Sequence, residues 1–226
     1  MTLENEGFRL APIGETALLL SLAEEISPEI NDRIRSIDLH LKAFPLNGIL
    51  EWVPGYASLM IFYDPTVVAL LDVISHMKLC LEDAGHQTTP SPKQVTIPVV
   101  YGGTCGQDLD WLADFHSLTP SDIVRLHTAP LYRVGMMGFT PGFAYLMGLD
   151  PALAAPRRES PRTLVPAGSV GIAGLQTGIY PLDSPGGWQL IGRTGSVLYD
   201  HTRTQPFLLA PGDEVKFIPQ AEGVMP

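Results

Sequence analysis

PAGSVGIAGLQTGIYPLDSPGGWQLIGRT, residues 166–194, is the stretch that decides the fold. Short apolar runs, SVGIAG at 169–174 and WQLIG at 188–192, alternate with glycine and proline, a spacing suited to strands joined by tight turns. The same texture extends upstream. Between Leu131 and Gly195 stand 12 of the chain's 22 glycines, with Pro141, Pro156, Pro161, Pro166, Pro181 and Pro185 among them. Five arginines share the segment (Arg133, Arg157, Arg158, Arg162 and Arg193), and no lysine does. Glycine and proline this dense would mark disorder in a polar chain. Here runs such as LYRVGMMGF at 131–139 can bury surface, so the segment reads as folded β-structure.

Upstream of Leu131, VTIPVVY (95–101) reads as a strand, followed by two short helices over Asp108–Phe115 and Pro120–Thr128, the second capped by Thr119 or Ser121. Downstream, Pro211, Gly212 and Asp213 turn into a closing strand. Residues 94–226 therefore read as a mainly β domain, a barrel or sandwich with two helices at its front. TTPSPK, residues 88–93, has the composition of a linker. Before it, residues 1–87 read as a small α+β domain. FRLAPIGETALLLSL gives two strands turning at Ile13–Glu15. Ser27 and Pro28 open a helix whose Ile30, Ile34, Ile37 and Leu41 recur at helical spacing. Residues 48–63 form a strand pair broken at Pro54 and Gly55, and a second amphipathic helix runs from Thr66 to Gly85.

At 226 residues and 45% hydrophobic content the chain has the length and composition of one large or two ordinary globular domains. No apolar run is long enough to cross a bilayer, and MTLENEGFRL lacks the basic start and apolar core of a signal peptide, so the expected location is cytoplasmic. Cys80 and Cys105 match no metal or redox spacing and read as unpaired structural thiols. The formal charge of −10 argues against nucleic-acid or anionic-membrane partners. Residues 1–90 carry 13 acids and 5 bases, so the acidity belongs mainly to the first domain.

No phosphate-binding glycine loop, dinucleotide fingerprint, zinc-protease motif or nucleophile elbow is present; Ser169 in AGSVG has Ala167 where the elbow needs glycine. The six histidines are scattered, so no metal site is expected. What remains is the arginine set. Guanidinium forks and turn N–H groups suit carboxylates and phosphates, which points to an anion site. Arg157 and Arg158 read first as solvated loop charges or partners for Glu159. Arg193 closes an apolar strand, where a charge needs a partner or a ligand. Phe139, Phe143, Tyr145, Tyr180 and Trp188 stand beside glycines and prolines, placed to line a cleft or to pack a core. Gln176, Thr177 and Tyr180 read as polar groups on a turn between strands, a common place for binding residues.

GFTPGFAYLMGLDP (138–151), the run from Pro156 through Thr194, and PGDEVKF (211–217) resemble the family that contains the 5-oxoprolinase B-subunit, the kinase-inhibitor protein KipI and allophanate hydrolase subunit 1. EWVPGYASLMIFYDP (51–65) and YGGTCGQDLD (101–110) extend the resemblance over nearly the whole chain. It implies a small N-terminal α/β domain followed by a cyclophilin-like barrel domain. It also implies a related cyclophilin-like partner of the 5-oxoprolinase C-subunit or KipA type and a third 5-oxoprolinase protein, the assembly using ATP to open 5-oxoproline to L-glutamate. On that basis the chain is expected to bind no cofactor alone and to be active only in the complex. Arg162 and Arg193 are then the expected anion contacts, with Gln176, Thr177, Tyr180, Trp188 and Thr194 shaping the pocket; no catalytic residue is assigned. Inhibition of a sensor histidine kinase and a role in allophanate hydrolysis or urea carboxylation are the alternatives the family leaves open.

Overall fold

The computed structural model describes residues 3–5, 7–83 and 91–221. The chain divides into two compact units between Ser91 and Pro92. Gly85 and residues 88–90 of the expected linker lie outside the described residues.

In the first unit β1 (Leu3–Asn5), β2 (Phe8–Ile13), β3 (Ala17–Ser21), β4 (Ile49–Pro54) and β5 (Ser58–Tyr63) form an antiparallel sheet in the order β1-β2-β3-β5-β4. Alternation places Leu18 and Leu20 of β3 and Leu59, Ile61 and Tyr63 of β5 in one core. Helix α1 (Pro28–Ala43) adds Ile34, Ile37 and Leu41 to it, with Ile30 half-buried beside them. The Ser27 hydroxyl accepts from Ile30 N–H at 3.2 Å, and Pro28 fills the first turn, where its missing N–H costs nothing. Helix α2 (Leu70–Asp83) starts four residues later than its apolar pattern suggests. The reason is local: the Asp64 carboxylate accepts from Thr66 N–H at 2.8 Å and its hydroxyl at 2.6 Å, holding Thr66 in a turn.

In the second unit β6 (Gln94–Tyr101), β7 (Tyr132–Met137), β8 (Ala144–Met147), β10 (Ser169–Ala173), β11 (Gln176–Ile179), β13 (Gln189–Arg193) and β14 (Glu214–Pro219) close into a barrel. Its order is β10-β11-β8-β7-β14-β6-β13, with β6 parallel to β14 and the other pairs antiparallel. Ile97, Val99, Val134, Leu146, Val170, Ile172, Ile191, Val215 and Phe217 fill it. Thus the α+β class with a barrel domain holds. Helices α3 (Leu109–His116) and α4 (Pro120–Thr128) fall within a residue of their expected bounds. Thr119, not Ser121, caps α4, through a reciprocal box with Asp122. Two features lie beyond the sequence reading. A short 3₁₀ turn, Pro151–Leu153, is capped by the Asp150 carboxylate, and a ribbon of β9 (Arg162–Val165) and β12 (Ser184–Gly186) stands apart from the barrel. Among the described residues no helix is long and apolar enough to cross a membrane.

Candidate functional site

The site grows from one buried carboxylate. Asp108, just before α3, accepts from Arg162 Nη2 at 2.7 Å and Arg158 Nη1 at 3.1 Å on one oxygen, and from Leu190 N–H at 2.7 Å on the other. A buried carboxylate demands such partners. Two attachments fix the 156–162 segment against β13: the Asp108 cluster and a bond from Gln189 Nε2 to the Pro156 carbonyl at 2.9 Å.

Against that wall lies a cavity of about 200 Å³, lined by Phe143, Tyr145, Tyr180, Trp188 and Gly186, with Arg157 at its edge. The Phe143 ring meets Tyr180 at 5.2 Å and Trp188 at 5.5 Å, both edge to face, so each ring fixes the next. Gly186 is required here: a Cβ would lie 2.5 Å from the Tyr180 hydroxyl. Burial pushes the Tyr180 phenol up, against the Trp188 backbone and the Arg157 and Arg162 guanidiniums. Burial also raises Tyr145, which Arg157 partly opposes. Both phenols therefore remain proton donors near neutral pH.

Arg157 also lines a second, polar cleft of about 470 Å³ with Trp111, Arg158, Glu159 and Gln189. A larger groove of about 790 Å³ runs along residues 137–142 and 204–211. It is mostly apolar, and its polar side chains, Thr140, Thr204 and Gln205, are not ionisable. Phe139, held at φ +66°, stands between this groove and the aromatic cavity.

The structure brings Tyr180 and Trp188 together on the aromatic cavity and sets Arg162 behind it. There the guanidinium is engaged by Asp108 and reaches the Trp188 carbonyl at 3.5 Å. Gln176 and Thr177, expected on a turn, instead pair with β10 as the start of strand β11, and Gln176 does not line that cavity. Thr177 is enclosed in the barrel, its hydroxyl donating to the Gly171 carbonyl at 3.0 Å. Arg193 Nε donates to the Ala167 carbonyl at 2.9 Å, and the buried Thr194 hydroxyl accepts from Ser196 N–H.

Sequence reasoning passed over Asp108 and His127. His127 is fully buried, with Nε2 3.0 Å from the Thr177 hydroxyl and Nδ1 2.8 Å from the Tyr101 hydroxyl. Because Thr177 spends its proton on Gly171, it accepts from His127 Nε2–H, and Nδ1 accepts from Tyr101. Burial drives the imidazole down to about 3, so it stays neutral. A polar position inside an α4 face otherwise apolar (Ile123) was the available signal.

The family described as carboxyltransferase domain, subdomain C and D, matches residues 8–209. The 5-oxoprolinase B-subunit of Escherichia coli O157:H7 is 43% identical over 212 residues, covering 94% of this chain and 96% of that protein. The 5-oxoprolinase B-subunit of Bacillus subtilis is 37% identical over 226 residues, covering 93% and 92%. Among solved structures, TTHA0988 superposes with a TM-score of 0.81 at 41% identity over 93% of this chain. This chain spans 40% of the length of that one.

Proposed function

The chain belongs to the carboxyltransferase subdomain C and D family, and from that premise we propose that it is the B-subunit of a 5-oxoprolinase that opens 5-oxoproline to L-glutamate with ATP. The observation that carries this reading is the colinear identity, over 93–94% of this chain, with 5-oxoprolinase B-subunits from two bacteria. It works with partner proteins: a related cyclophilin-like chain and a third protein.

The aromatic cavity supports the substrate class. A small lactam ring fits apolar faces such as Phe143 and Trp188, while its carboxylate needs a cation at the rim, which Arg157 supplies. Arg157 thereby takes the anion contact that residue type alone assigned to Arg162 and Arg193. The Tyr180 and Tyr145 phenols, protonated at neutral pH, donate toward the lactam oxygen as it gains charge. Arg162 acts through Asp108 and Trp188 as a positioning residue. A lactam without ring strain opens only when coupled to a downhill reaction, and ATP hydrolysis in the assembly provides that drive.

The test is glutamate release from 5-oxoproline by the chain purified with its bound partners, with and without ATP. ATP-dependent glutamate that disappears when the partners are stripped away supports the reading. An intact complex that releases none refutes it.

A further inference from the structure

We propose that the polar cleft beside Arg157 binds a magnesium nucleoside triphosphate, its phosphates on Arg157 and Arg158 and its base on Trp111. The inference deepens the 5-oxoprolinase reading and rests on it only for the choice of ATP as the nucleotide.

Charge is the first argument. Arg158 and Arg162 converge on one buried carboxylate, Asp108, and Arg157 and Glu159 complete the charged lining, so cationic charge is left over. Arg162 is consumed by Asp108, and Arg158 commits only Nη1 to it. The second argument is an unmet donor: Arg158 Nε is buried without a hydrogen-bond partner. A buried N–H left open is unfavourable, and the planar fork beside it matches a phosphate oxygen pair. Arg157 lines the same cleft and forms no side-chain ion pair with any described residue.

The third argument is the far wall. Trp111 and Phe115 of α3 stack at 5.1 Å with 19° between their planes, yet are 42% and 52% exposed. Two large rings stacked in water on a helix, the first of them lining a cationic cleft, form a platform for a planar aromatic base. At about 470 Å³ the cleft is of ordinary ligand size. Glu159 disfavours a bare polyanion and suits one that carries magnesium. Arg157 lines this cleft and the aromatic cavity alike, so the phosphates lie next to the lactam.

Calorimetric titration of the full chain, alone and in complex with its partners, with MgATP and with magnesium tripolyphosphate tests the site. Arg157→Gln is expected to weaken both probes about tenfold. Trp111→Leu should weaken MgATP about tenfold and leave tripolyphosphate within about twofold. No MgATP binding by chain or complex, or variants that bind MgATP as the wild type does, would overturn the proposal. Glutamate formation is scored separately. A complex that makes glutamate while the variants bind MgATP normally sinks this cleft and spares the 5-oxoprolinase assignment. A complex that makes none, while Arg157→Gln abolishes MgATP binding by the chain, does the reverse.

Discussion

Arg162 Nη2 lies 2.7 Å from Asp108 Oδ1, and this pair, 54 residues apart in sequence, ties the β9 edge to the start of α3. Both side chains are largely buried, at 16% and 7% exposure. Removing one partner strands the other charge. Asp108→Ala is therefore expected to lower unfolding free energy by about 3 kcal/mol, read from urea midpoints. Arg162→Met with Asp108→Leu should recover part of that loss, because the more buried of the two guanidiniums held by Asp108 is removed with it, while Arg158 is partly exposed to water. A double variant no more stable than Asp108→Ala would show that the pair is not coupled.

His127 makes stability depend on acid. Its folded pKa is depressed to about 3 from an ordinary 6.5, so between those values the unfolded chain binds a proton that the folded chain refuses. The contribution is complete above pH 6.5 and is lost as pH falls toward 3, by on the order of 1 kcal/mol per pH unit. Urea titrations between about pH 7.5 and 4.5 should give a shallower slope for His127→Gln than for the wild type. Equal slopes would show that His127 is not the group responsible.

Arg157 is exposed, and its substitution should leave stability within about 0.5 kcal/mol. In the assembled complex, Arg157→Ala should raise the KM for 5-oxoproline about tenfold or more, the loss of a charge-assisted contact. Unchanged kinetics would remove it from the site.

Gly186→Ala places a methyl 2.5 Å from the Tyr180 hydroxyl and 2.8 Å from its ring. The ring, which lines the aromatic cavity, must move. A loss of about 1–3 kcal/mol is expected, together with a changed near-ultraviolet dichroism spectrum and reduced turnover. Turnover at the wild-type level would mean that the cavity tolerates the shift and is not the substrate's.

Local structure was legible because local chemistry determines it. Ser27 and Pro28 start α1 and Thr119 starts α4, since capping groups and a fixed φ act on the residues beside them. The apolar runs 169–174 and 188–192, set off by glycine and proline, became β10 and β13 for the same reason, whereas Gln176 and Thr177, expected on a turn, lie in β11. Thr66 was one exception, because the Asp64 side chain competes for backbone N–H groups that a helical apolar pattern would claim.

The candidate site was legible only in its residue types. Arginines and aromatics between 139 and 193 made an anion-binding cleft the expectation, and Tyr180 and Trp188 do meet on one cavity. Their roles depended on partners remote in sequence. Asp108 consumes Arg162 from 54 residues away, the Ala167 carbonyl holds Arg193 across 26, and Arg157 remains available. Thr177 faces inward onto His127 because strand alternation offers two faces and only barrel closure decides which is enclosed. The sequence by itself determined most of the elements and their order, which follow from short-range conformational preference and composition. Tertiary structure alone decided which guanidinium is free, because ion pairing depends on distance in space, and folding sets that distance between residues the chain keeps far apart.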